Sequence, residues 1–225
     1  MGNVASRFSA EEHERVNQAV QHAESMTAAE IVPVIAGSSG RYDRAEDIVG
    51  LWLAGLLIVL AWFFYPLPEN IPGDWSGAHP IWQLVAILLA GLVGFILGVV
   101  LGMYCLPLRR LFTPAAQMRE EVDLRARQIF YDNRVHHTTG ASGVLLYISC
   151  YEHLATVVAD QQVLDKIDQA GVDGICAEFS RRLQTEPMID ALCGTIKHVG
   201  ERLATDLPAT SQTTNELPDA LVVME

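Results

Sequence analysis

The chain has 225 residues, half of them hydrophobic, yet its formal net charge is −12. A surface this acidic disfavours nucleic acid and anionic lipid head groups as partners, because both are held by clustered Lys and Arg. Cys105, Cys150, Cys176 and Cys193 lack paired spacing, which argues against a disulfide framework or a zinc site and for a reducing compartment.

Residues 1–18 hold no apolar stretch, so no secretory leader is expected there, although Gly2 and Ser6 match the pattern for N-myristoylation. Ser9 and Glu12 have the spacing of a capping box, opening a helix with Val16, Ala19, Val20 and Ala23 on one face. Residues 30–36, rich in β-branched side chains, predict a strand. Pro33 removes a ladder donor from it and predicts an edge position or a bulge. A turn-rich exit, residues 37–40, follows.

Residues 48–65 and 81–106 are apolar runs too long and too uncharged for core helices, and predict a transmembrane helical hairpin within 46–106. The connection has Glu69 and Asp74 but no Lys or Arg, whereas Arg41, Arg44, Arg109, Arg110 and Arg119 flank the spans. Both termini are therefore expected on the cytoplasmic side of a bacterial inner membrane. Trp62, Phe63, Phe64, Tyr65, Trp75 and Trp82 make an aromatic belt at the outer interface, and Pro66, Pro68, Pro72 and Pro80 interrupt both helices. Gly94, Gly98 and Gly102 recur every fourth residue, a stripe that lets helices approach closely. It packs either on Gly50 and Ala54 of the first span or on a second copy, as a homodimer seam. Neither span carries Asp, Glu, Lys, Arg or His, which points to an anchor in the lipid bilayer, able to meet other membrane proteins, and not to a transporter.

A helix over 114–134 turns Met118, Val122, Ala126, Ile129 and Phe130 to one side. Residues 143–150 form a nearly continuous apolar strand of the kind buried on both faces, and 154–159 a second. Asp160 caps a helix with Val163, Leu164 and Ile167 inward, ended by Gly171. A further helix carries Ile175, Phe179 and Leu183, and the last Ile189, Leu192, Ile196, Val199 and Leu203. Residues 208–225 read as a flexible tail. The expected architecture is α/β: a small α/β/α sandwich whose two parts, 8–44 and 109–207, are interrupted by the hairpin, with 31–36 in the same sheet as 143–150. In such sheets ligands bind outside the carboxyl ends of the strands, so a site is expected beside residues 37–43, near the inner membrane surface.

Cys176 and Arg182 have the C-x5-R spacing of a cysteine phosphatase, but Ala177, Glu178, Phe179, Ser180 and Arg181 between them form a helical run and not a phosphate cradle. His136 and His137 are adjacent in a loop, with no carboxylate or thiol at ligand spacing, and read as solvated.

Several runs, in this order, carry a family resemblance. They are Phe8-Ser9 with the helix after it, Glu24 through Thr27 to Glu30-Ile31, Ala126-Arg127-Gln128-Ile129-Phe130, and Thr139 through Gly143 to Ser149 leading to Glu152 and Asp160. The chain resembles the TPM domain family, which includes a thylakoid lumen acid phosphatase and many bacterial membrane proteins, and within it the subgroup whose domain holds a transmembrane pair. The resemblance implies a small α/β sandwich. For some members it also implies calcium binding or hydrolysis of phosphate esters. Where lumenal and secreted members have a Gly-Tyr-Gly-Leu-Glu loop, this chain has Val158-Ala159-Asp160-Gln161-Gln162, without the glycines. Glu24, Glu30 and Asp160 are the acidic residues in family-like positions, hard oxygen donors suited to calcium or magnesium. The other reading makes Glu30 an exposed strand start and Asp160 an N-cap. Two functions follow as expectations. One is a cytoplasm-facing binding or assembly module at the membrane, and the other is a metal-dependent phosphatase.

Overall fold

The structure is a computed structural model and describes residues 8–64, 81–137, 141–209 and 220–224. The myristoylation pattern, the 65–80 connection with its prolines and Trp75, and residues 210–219 of the expected tail lie outside these. In chain order the elements are α1 (Ala10–Glu24), β1 (Glu30–Ala36), α2 (Asp43–Phe64), α3 (Ile81–Tyr104), α4 (Leu106–Leu111), α5 (Ala115–Asp132), β2 (Gly143–Ser149), β3 (Leu154–Ala159), α6 (Gln161–Thr185), α7 (Met188–Ala204) and β4 (Val222–Met224). A short 3-10 turn, Val135–His137, precedes β2. The chain divides into two compact units, one of Met1–Gly40 with Met118–Glu225 and one of Arg41–Gln117.

The first unit is a three-layer α/β fold around one mixed sheet of order β3-β2-β1-β4. Parallel pairing of β1 with β2, Ile31 opposite Val144 and Ile35 opposite Ile148, joins chain from before and after the hairpin in one ladder. Alternation along the strands sorts the side chains. Ile31, Ile35, Val144, Leu146 and Ile148 face α1, α6 and α7, where they meet Val20, Phe179, Leu192 and Ile196. Val32, Val34, Leu145 and Tyr147 face α5 and meet Val122, Ala126, Ile129 and Phe130. With both faces covered, β1 and β2 are buried throughout, and each large side chain so enclosed contributes about 1.5–3 kcal/mol. The Ser9–Glu12 capping box forms in full.

Pro33 lies in a strand with neighbours on both sides, and the backbone directions explain how. The Ala36 carbonyl accepts from Cys150 N on the β2 side, and Gly37 N donates to the Met224 carbonyl on the β4 side. Backbone directions alternate, so Ile31, Pro33 and Ile35 point towards β4. β4 pairs only with Val34, Ile35 and Ala36, and at Pro33 the flank is already an edge. One step earlier, the Ile31 N–H donates to Glu24 Oε1 at 2.9 Å, a side-chain substitute for the missing strand. β4 itself falls within the stretch read as a flexible tail. Val222–Met224 is instead a paired strand, with Leu221 buried beside it.

The helix break expected at Gly171 falls at Asp168, whose φ of 55° and ψ of 178° separate the two parts of α6. Asp168 Oδ1 accepts from Gly171 N at 2.8 Å, so the glycine sits in the first turn of the second part and the aspartate caps it.

The second unit is a helical hairpin. α2 begins before the apolar run, taking in Arg44, Glu46 and Asp47, and α3 stops at Tyr104, before Cys105 and the proline that opens α4. The glycine stripe of α3 lies against α2. A Cβ on Gly94 would stand 2.8 Å from Ala54 Cα, on Gly98 2.6 Å from Gly50 Cα, and on Gly102 3.1 Å from Glu46 Cα. These glycines are buried within the hairpin, as the reading that packs the two spans on each other expects. The large side chains point outward instead. Leu51, Trp62, Phe63, Trp82 and Leu88 are all exposed.

Candidate functional site

At the carboxyl ends of β1 and β2, the exit loop after Ala36 and the hairpin turn between β2 and β3 are drawn together. Tyr151 N donates to the Gly37 carbonyl at 3.0 Å, which fixes the two backbones in register. Tyr147 and Ser149 lie two residues apart on one strand and so face the same side, towards α5. His153, with φ of 54°, tightens the turn and brings Glu152 under the loop.

Four side chains meet there. Ser39 N donates to Glu152 Oε1 at 2.8 Å, Ser39 Oγ donates to Ser149 Oγ at 2.8 Å, and Ser149 Oγ donates to Glu152 Oε2. Tyr147 Oη lies 2.9 Å from Ser39 Oγ. Each hydroxyl has one proton to give, so the Ser39 proton committed to Ser149 leaves Tyr147 as the donor to Ser39. The result is a directed chain from Tyr147 through Ser39 and Ser149 to the Glu152 carboxylate. Tyr147, Ser149 and Glu152 are all buried, and Ser39 is half-buried. Burial pushes the Tyr147 phenol above its ordinary value. The hydrogen bond to Ser39 opposes that rise and the nearby Glu152 charge adds to it. Chemically this is a latch. A satisfied polar network in a low-dielectric setting rigidifies what it joins, here the loop from which the chain departs for the second unit. Ser39 falls in the 37–43 stretch beside which a site is expected.

The acidic residues expected to hold metal lie away from this network. Glu24 caps the Ile31 N–H. Glu30 starts β1 and is 5% exposed, buried where the simpler reading had it in solvent. Asp160 Oδ1 accepts from Gln161 N at 2.7 Å as the cap of α6. The Gly143 carbonyl accepts from Asp160 N, and Gly143 pairs with Glu30, so Glu30 and Asp160 flank one strand at the opposite end of the sheet from Ser39. Among the described residues, no group of three or more His, Cys, Asp and Glu could hold a metal ion.

Cys176 and Arg182 have separate occupations. The Cys176 thiol donates to the Ala155 carbonyl at 3.5 Å, and burial pushes it above its ordinary value, away from a nucleophile's thiolate. Arg182 Nε pairs with Glu178 at 2.9 Å. His136 is half-buried and packs edge-on to Tyr131, with centroids 5.0 Å apart. In the sequence reading Ser39 fell in the turn-rich exit beside which a site is expected, and Tyr147, Ser149 and Glu152 in or just after the family-like run, but none of the four was assigned a role. The available signals were Ser149 inside an apolar strand and Ser39 in a loop at the strand end.

Fold and site together define a three-layer α/β protein with a helical hairpin set into the chain after its first strand. No family model and no curated protein matches it. Among solved structures it is similar to the BA42 protein from the psychrophilic bacterium Bizionia argentinensis, determined by NMR, with a TM-score of 0.57 and 15% identity over 99% of this chain and 99% of that one. At that identity the likeness is one of fold.

Proposed function

We propose that the protein is a TPM-type domain anchored in a membrane by the α2–α3 hairpin, facing the cytoplasm and serving as a binding or assembly module. The observation that carries this reading is the hairpin's surface. Two helices of 22 and 24 residues present large apolar side chains outward and keep glycines within. In water such a surface aggregates, and in lipid it is an ordinary helix pair. The latch supports the same reading, since it stiffens the loop by which the α/β unit hands the chain to the hairpin.

The test is fractionation of bacterial cells expressing the full chain. The protein should remain in the membrane pellet after carbonate washing, and a protease added to inverted vesicles should digest the α/β unit. Release by carbonate would overturn the anchor. Turnover of p-nitrophenyl phosphate dependent on added calcium or magnesium would overturn the binding module in favour of the phosphatase.

A further inference from the structure

The two edges of the sheet are treated differently. On the β4 side the chain closes its own edge, with a three-residue strand, a proline where that strand ends, and the Glu24 carboxylate on the Ile31 N–H. On the other side β3 ends the sheet, and its sequence, Leu154-Ala155-Thr156-Val157-Val158-Ala159, has no charge, proline or glycine among the devices that normally blunt an edge. β3 instead runs along the floor of a cavity of about 630 Å³, walled by α5 and α6.

The ladder tells which groups face that cavity. Asp160 N donates to the Gly143 carbonyl, so in this antiparallel pair Asp160, Val158 and Thr156 bond to β2, while Ala159, Val157 and Ala155 point outward. Cys176 from α6 covers the outward carbonyl of Ala155 and the outward N–H of Val157 and so marks one end of the open stretch. From the Val157 carbonyl to Ala159 the outward backbone lines the cavity. The charges around it are unbalanced. Among the described lining residues, Asp123 on the α5 wall, Asp173 on the α6 wall and Asp160 at the far end are set against one guanidinium, Arg127. Asp123 and Asp173 are exposed, on opposite walls.

We propose that this groove binds an extended, basic segment of a partner protein, which adds to β3 as a further strand and sets Lys or Arg side chains against Asp123 and Asp173. Strand addition takes its affinity from main-chain hydrogen bonds and its selectivity from side chains at alternate positions. An edge strand with acidic walls on both sides offers both, and the acidity selects against anionic partners. This inference rests on the reading of the chain as a binding module and names the chemistry of what is bound.

The test uses the full chain in detergent micelles and a short fluorescent peptide of repeated Val-Lys-Lys-Val, whose adjacent lysines point to opposite faces of a strand. The peptide should bind saturably and slow amide hydrogen exchange at Ala159, and its Glu–Val counterpart should bind at least tenfold more weakly. Ala159→Pro removes an outward N–H without touching the ladder to β2 and should abolish binding. D123K combined with D173K should weaken it at least tenfold. N-methylation of the peptide at every residue, which blocks both of its edges, should also abolish binding, and this leaves the protein unaltered should either variant fail to fold. Equal binding of the Glu–Val peptide, or of the N-methylated one, overturns the proposal. Absence of binding by a chain that remains in the membrane pellet also overturns it, while leaving the anchored-module reading in place.

Discussion

Phe179, Leu192 and Ile196 of the α/β unit are completely enclosed, whereas in the hairpin unit Trp52, Phe63 and Phe64 stand 71, 77 and 80% exposed and the enclosed positions of the helix seam include Gly94, Gly98 and Gly102. In the α/β unit, apolar area withdrawn from water holds the layers together, so the largest side chains belong inside. In the hairpin, area is not what the contact buries. Gly98 above Gly50 lets two backbones meet, and contact is gained from proximity, the mode that serves helices with no hydrophobic drive between them. The two units also use polar groups differently. The α/β unit encloses Ser149 and Glu152 in a satisfied network, and neither apolar run of the hairpin contains Asp, Glu, Lys, Arg or His.

The strongest way to break this comparison is Gly98→Leu. With backbone already 2.6 Å from the first added carbon, no rotamer escapes, and the substitution should cost about 3 kcal/mol or more. Slow amide exchange in α2 and α3, followed in micelles, should be lost while β1 and β2 keep theirs. Retained protection would mean that the glycine seam is not what joins the helices.

Glu152→Ala probes the other unit. It strands the Ser39 N–H and the Ser149 hydroxyl at a buried site and should destabilise the α/β unit by about 3 kcal/mol, read as a lowered urea midpoint with hairpin helicity unchanged. A shift below about 0.5 kcal/mol, the size of an ordinary surface substitution, would remove the latch.

Glu24→Ala should cost about 1–2 kcal/mol, because the donor it exposes lies at an edge that water can partly reach. The specific sign is accelerated exchange at the Ile31 amide, with Val34 and Ala36 unaffected. The smallest effect is at Asp168. Asp168→Ala should lose about 1 kcal/mol of capping, and Asp168→Gly less, since φ of 55° with ψ of 178° is backbone that glycine adopts freely. Equal melting temperatures for the two variants would mean that the backbone there is unstrained.

What the sequence determined by itself is what can be read within a few neighbours. The capping box at Ser9 and Glu12, the α5 stripe from Met118 to Phe130, the alternating three- and four-residue steps of α7 and the two apolar helices are periodic patterns, and the structure has each of them. What only the tertiary structure decided are the meetings of distant residues. Val222–Met224 is too short to show a period, and becomes a strand because β1 offers an open flank beyond Pro33. The glycine stripe names no partner by itself, and it is the fit of Gly98 over Gly50 that seats α3 on α2. Ser39 and Glu152 are 113 positions apart, and each reads as an ordinary loop residue. They become a site because parallel pairing of β1 with β2 brings both strand ends to one edge, where a carboxylate withdrawn from water must take every donor within reach.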